Sequence, residues 1–123
     1  MKTINFKPEF IPLIRAGKKT QTRRPWASSP HAPKYGGLCV AAGGTEKTVI
    51  RITRARRQNL NDITEHDVRA EGFEILGGFI SVWQAIYGGT EFDANNNPPV
   101  WAYEFEFVAD EISHIKHKEE PFQ

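Results

Sequence analysis

The sequence predicts an α+β fold, a small closed or half-open β-barrel of about five to six strands decorated by about three short helices. Three observations carry this. Residues 101–108 alternate, Trp101, Tyr103, Phe105 and Phe107 being set between Ala102, Glu104, Glu106 and Val108, which is the two-residue period of a strand. Two further apolar stretches, Leu38 to Ala42 and Thr48 to Ala55, flank Gly43-Gly44 and read as a hairpin. Strands dominate, and helical signals are confined to one segment near the start and two before the last strand.

In chain order, Thr3-Ile4-Asn5-Phe6 alternates and reads as an opening strand. Pro8 suits a first helical turn, with Phe10, Ile11 and Ile14 on one side and Gly17 as the stop. Thr20 to Arg24 is polar but β-branched at alternate positions and ends at Pro25, a short strand. Residues 27–37, rich in Ser, Pro and Gly, read as a loop. Past the hairpin, Thr64 with Asp67 three residues on forms a capping-box variant, opening a short helix that Gly72 ends. Phe79, Val82, Trp83, Ile86 and Tyr87 follow the i, i+3, i+4, i+7, i+8 spacing of an amphipathic helix closed by Gly88-Gly89. Thr90 to Pro99 reads as a mobile loop, and 113–123 as a weakly ordered charged tail.

At 123 residues the chain fits one domain, 1–123, with enough length for a core without staples. The single cysteine, Cys39, allows no internal disulfide and reads as a small buried hydrophobe. Neither a signal-peptide pattern nor an apolar run long enough for a bilayer is visible, which makes the cytoplasm the expected location. The net charge of +1 hides an asymmetry: residues 10–61 hold eleven Lys or Arg against one acid, and residues 62–123 hold three against thirteen. A basic half can attract phosphate or an RNA backbone, or the two halves can simply pack and neutralise each other.

The densest chemical signal is Gly17-Lys18-Lys19-Thr20-Gln21-Thr22-Arg23-Arg24, four cations and two hydroxyls directly after a helix end. On a regular strand Thr20, Thr22 and Arg24 share one face, and Gln21 and Arg23 the other. Lys19 can work with Thr22 only if it lies in the turn after Gly17 or a bulge re-aims it. A lysine acts as a base only once deprotonated, and clustered cations with partial burial push it that way, Lys18 and Arg24 being the neighbours at hand. From residues alone the segment reads first as an anion-binding or RNA-contacting strand, and only second as a catalytic one. Glu71, in the last turn of its helix, faces the negative end of the helix dipole, and Lys19 is a candidate cation to offset this.

These residues resemble the ASCH family, whose members carry a Gly-x-Lys-x-x-x-x-Arg signature on a PUA-like barrel. Gly17, Lys19 and Arg24 occupy that pattern here, and the likeness runs on through Ile63-Thr64-Glu65, Glu71-Gly72-Phe73, Phe79, Trp83, Tyr87 and Pro99-Val100-Trp101. Ala16, Gly17, Lys19, Thr20, Thr22 and Arg24 are similar in spacing to the bacterial N4-acetylcytidine amidohydrolase branch. The resemblance implies an amidohydrolase that removes the acyl group from N4-acylated cytosine nucleosides. Its catalytic residues would be Lys19, Thr22 and Glu71, and its substrate contacts Thr20, Arg24, Trp26 and Tyr35. A non-catalytic RNA-binding module and a metal-independent ribonuclease are the alternatives, the first favoured by the basic stretch Arg51 to Arg57 unless its arginines pair with acids such as Glu104 and Glu106.

No cofactor and no metal are expected. His114 and His117 fall in the tail, while His31 and His66 stand alone, whereas a zinc site wants three or four convergent ligands. The expected partners are a small nucleoside and, in the alternative, RNA, with no membrane and with a monomer or weak homodimer as the assembly.

Overall fold

The computed structural model describes residues 1–25 and 36–111. Trp26, Tyr35, His31, His114, His117 and the tail 113–123 lie outside the described residues. The elements are β1 (Lys2–Asn5), α1 (Phe10–Arg15), β2 (Gln21–Pro25), β3 (Leu38–Gly43), β4 (Glu46–Asn59), α2 (Glu65–Ala70), α3 (Leu76–Tyr87) and β5 (Pro99–Ala109). Short 3-10 turns at Leu60–Asp62 and Ala94–Asn96 complete them.

The strands form one sheet in the order β1-β3-β4-β5-β2, antiparallel except for the parallel β1–β3 pair. The β3–β4 hairpin turns over Gly44 and Thr45, because Gly43 already pairs with Glu46. Gly44 sits at φ +60°, the left-handed setting that a two-residue hairpin loop needs.

Bulges curl the sheet. Along β4 and β5 the pairing slips between Val49 and Ile50 and again between Ile52 and Arg54, and an extra residue in one strand bends it and increases its twist. The expected alternation of the last strand does not hold throughout: Phe107 is exposed, while Ala102 and Ala109 are buried. The curl brings the two edge strands towards each other, and Arg24 Nη2 of β2 donates to the Asn5 carbonyl of β1 at 2.8 Å. The result is a five-stranded half-barrel with three α-helices, an α+β fold of the expected class.

Inside the curl lie Ile4, Ile11, Ile14, Cys39, Ala41, Ile50, Ile52, Tyr103 and Phe105. Burial pushes the Cys39 thiol up to about 11, which fits a packing role and not a nucleophilic one. A second cluster of Leu60, Phe79, Trp83 and Val100 docks α3 against the end of β5. The 90–99 segment expected to be mobile is tied down instead: Trp83 Nε1 donates to the Phe92 carbonyl at 2.8 Å, and Gln84 bonds both Asp93 and the Ala94 amide. No helix among the described residues is long and apolar enough to cross a membrane.

Candidate functional site

The site starts from how α1 ends. Gly17 takes φ +73°, a setting that glycine adopts without strain, and the amides of Lys18 and Lys19 both donate to the Leu13 carbonyl. Lys19 therefore lies in the turn before β2, which is the condition for it to share a side with Thr22. Lys18 points into solvent instead, so the neighbouring cations that act on Lys19 are Arg24 and Arg23.

On the opposite side, Thr64 caps α2 as the spacing predicts: its hydroxyl accepts from the Asp67 amide, and Asp67 Oδ2 accepts from the Thr64 amide, both at 3.1 Å. Glu71 is the C-cap residue, and Gly72 at φ +102° turns the chain away. Lys19 Nζ reaches across to donate to the Glu71 carbonyl at 2.5 Å and to its Oε1 at 3.3 Å. One ammonium thus serves both an unpaired carbonyl at the negative end of a helix and the carboxylate beside it.

Lys19, Thr22, Glu71 and Arg24 line one cleft of about 110 Å³. The rest of its lining is largely aromatic, with Phe6, Phe10, Phe73, Phe79, Trp83 and Tyr87. This volume is small beside the several hundred Å³ of pockets that enclose a whole drug-sized ligand. A bound molecule would insert its reacting end and leave the rest outside.

Lys19 is only 3% exposed, and burial holds its amine below the ordinary lysine value, with Arg24 and Arg23 adding to the effect and Glu71 opposing it. The Phe10 ring, 4.6 Å from Nζ, also favours the charged form. A neutral lysine has two N–H groups, and Glu71 supplies two acceptors, which would leave the nitrogen lone pair free for a proton. Thr22 Oγ1 accepts from Arg24 Nε at 3.0 Å. A cationic donor at that oxygen stabilises an alkoxide, while the hydroxyl hydrogen stays available to a base. The hydrogen bonds of Lys19 run to Glu71 and not to Thr22, so proton transfer between them requires the cleft to tighten around a substrate, as catalytic contacts commonly do.

Of the expected substrate contacts, Arg24 lies at the cleft with Phe6 stacked 4.9 Å from its guanidinium. Thr20 does not line it: its amide donates to the Ala70 carbonyl and its carbonyl accepts from Phe105, so its backbone serves the fold. Trp26 and Tyr35 fall outside the described residues. Among the described residues no three His, Cys, Asp or Glu side chains converge as a metal would need.

Sequence reasoning missed a buried polar group that includes Arg23 of the cleft wall. Arg23 Nη1 donates to Glu71 Oε2 at 2.9 Å and to Gln21 Oε1 at 2.8 Å, its Nε donates to Gln58, and Gln21 donates to Asp67. The signal was present as two matched spacings: Gln21 and Arg23 two apart on a strand, Asp67 and Glu71 four apart on a helix. The basic stretch of β4 is largely balanced. Arg54 and Arg56 both reach Glu104, at 3.6 and 2.8 Å, and Arg51 lies 4.0 Å from Glu106. The two halves of the chain do neutralise each other along this strand.

No family model matches the chain, and neither does any curated protein. Solved structures do. The ASCH domain from Lactobacillus crispatus superposes with a TM-score of 0.72 at 17% identity, over 88% of this chain and 80% of that one. The ASCH protein of Zymomonas mobilis gives 0.57 at 16% identity, over 98% and 80% respectively. The hypothetical protein PH0355 gives 0.68 at 20% identity, over 88% of this chain and all of that one. At these identities the likeness is one of fold.

Proposed function

We propose that this chain, which has the fold of ASCH domains, is an amidohydrolase that removes the acyl group from N4-acylated cytosine nucleosides. The observation that carries the reading is the meeting of Lys19, Thr22 and Glu71 in one cleft, with the lysine buried and its amine held below its ordinary value. Thr22 Oγ1 attacks the acyl carbonyl and gives its proton to neutral Lys19. The carbon–nitrogen bond then breaks, the exocyclic nitrogen takes the proton from Lys19, and cytidine leaves. Water attacks the Thr22 ester, its proton passing through Lys19 back to Thr22, and the carboxylic acid is released.

Glu71 holds Lys19 by two acceptors and fixes where its lone pair points. Arg24, whose Nε already donates to Thr22 Oγ1, supplies the positive charge that stabilises the developing oxyanion. The aromatic wall offers faces for the pyrimidine or the acyl chain, and the small cleft leaves the ribose, free or within RNA, outside.

The test is release of cytidine from N4-acetylcytidine and bulkier acylcytidines, with and without chelator, by wild type, Lys19→Ala and Thr22→Ala. Chelator-insensitive turnover lost in both variants is the expected result. An unmodified substrate after long incubation overturns the reading, and RNA binding with strong salt dependence then becomes the alternative.

A further inference from the structure

One residue of the cleft wall is not used by the reaction above. The Arg23 side chain is 0% exposed and is held on every side by polar partners. Besides Glu71, Gln21 and Gln58, it meets Asp67, whose Oδ2 is 3.2 Å from Nη2 in an ion pair without hydrogen-bond geometry. Taking an arginine and two carboxylates out of water is costly, and a well-packed hydrophobic residue in its place is often neutral or stabilising. Packing alone gives no reason for Arg23.

Its effect falls on Glu71. That carboxylate is shared: Oε2 is 2.9 Å from Arg23 and Oε1 is 3.3 Å from Lys19, so the shorter contact goes to the arginine. A carboxylate committed to Lys19 alone would favour the ammonium, and a guanidinium beside it opposes this. The charged and titratable groups around Lys19 are Glu71 at the end of α2, Arg23 and Arg24 on β2, Lys7 after β1, and Tyr87 on α3. Among the described residues lining the cleft, Glu71 is the one acid. Burial sets the direction of the Lys19 shift, and whatever balances Glu71 adjusts it.

We propose that Arg23 is a positioning residue: anchored by Asp67, Gln21 and Gln58, it occupies the second oxygen of Glu71 and keeps that carboxylate from committing its full charge to Lys19, which leaves the lysine able to serve as the base. The meaning of "base" rests on the amidohydrolase reading, whereas the coupling of Arg23 to Lys19 can be measured without it. Asp67 acts in the opposite sense one step further out, since it partly neutralises Arg23.

The experiment follows the titration of Lys19 by NMR on protein carrying 13Cε-labelled lysine, the signal being assigned by its loss in Lys19→Met. It is run on wild type, Arg23→Gln, Asp67→Asn and the double variant, beside pH profiles of N4-acetylcytidine hydrolysis. Arg23→Gln is expected to move the Lys19 titration to higher pH and to lower the rate at neutral pH by a few-fold, with a much smaller loss at alkaline pH, because removing a nearby like charge favours the ammonium. Asp67→Asn is expected to move the titration the other way, and the charge-matched double variant to return it close to wild type. If Arg23→Gln alone fails to fold, Asp67→Asn against the double variant reads the same coupling. A Lys19 titration unmoved by these changes, or a rate loss equal at every pH, overturns the proposal. Titrations that move as expected in a protein that releases no cytidine support the positioning role and overturn the amidohydrolase reading alone.

Discussion

Lys19 and Glu71, 52 residues apart in the chain, are joined through one nitrogen that bonds both the carbonyl and the carboxylate of the same residue. The contact ties the turn after α1 to the end of α2 and faces the cleft. It makes Lys19 at once a helix cap and the candidate base.

Lys19→Met should therefore separate activity from stability. Removing a general base costs on the order of 100-fold or more in rate. Stability at neutral pH should fall by about 1–3 kcal/mol, since the buried Glu71 carbonyl loses its donor. Because burial lowers the folded-state value of Lys19 below that of the unfolded chain, its protonated form is a cost that is full below the folded value and relieved as pH climbs towards the ordinary 10.5. Urea unfolding of the two proteins at pH 7 and pH 10 checks this, and wild type should gain stability relative to the variant at the higher pH.

Much of this was legible in the sequence because the informative devices are local. The Thr64–Asp67 capping box, the left-handed glycines after α1 and α2, and the β3–β4 hairpin, whose turn falls one residue later than expected at Gly44-Thr45, each act within a few residues. The Lys19–Thr22–Glu71 set came from family spacing, not from physics, since nothing local says that residues 19 and 71 meet. Arg23 escaped because a lone arginine in a basic run looks like a solvated one, and only the curl of the sheet against α2 buries it. The exposure of Phe107 escaped because an alternating apolar pattern reads as inward-facing throughout.

Thr64→Ala removes the hydroxyl that accepts from the Asp67 amide and should cost about 1 kcal/mol, as loss of an N-cap usually does. Asp67 also braces Arg23, so the change should reach the cleft. A fall in cytidine release larger than the loss of folded protein would be the sign of it. Denaturant unfolding alongside the assay measures both.

Acid should weaken the fold partly through Asp67. Burial pushes its carboxyl up, but hydrogen bonds from Thr64 and Gln21 together with the charge of Arg23 outweigh this and hold it below its ordinary 3.8. It binds a proton less readily folded than unfolded, so its contribution is complete above that value and is lost as pH falls through the lower folded one. Asp67→Asn should lower stability at pH 7 and flatten the decline below about pH 4. Thermal midpoints across pH 2 to 7 would show it.

Trp83 joins the α3 core to the segment that follows it. It is 4% exposed and its indole donates to the Phe92 carbonyl. Trp83→Ala should cost about 3–5 kcal/mol, the usual range for an emptied aromatic site. Trp83→Phe should cost about 1 kcal/mol through the lost hydrogen bond. Hydrogen exchange should then quicken at the Asn95 and Ala94 amides, which this segment protects.

The central claim is that Thr22 attacks the acyl carbon under the control of Lys19. Wild type and Thr22→Ala are each mixed with N4-acetylcytidine, quenched in acid during turnover, and digested for peptide mapping by mass spectrometry. Cytidine and acetate are expected in equal amounts, with an acetyl group trapped on Thr22 in the wild type and neither product nor adduct in the variant. Cytidine release that persists in Thr22→Ala, or no release from the wild type, would contradict it.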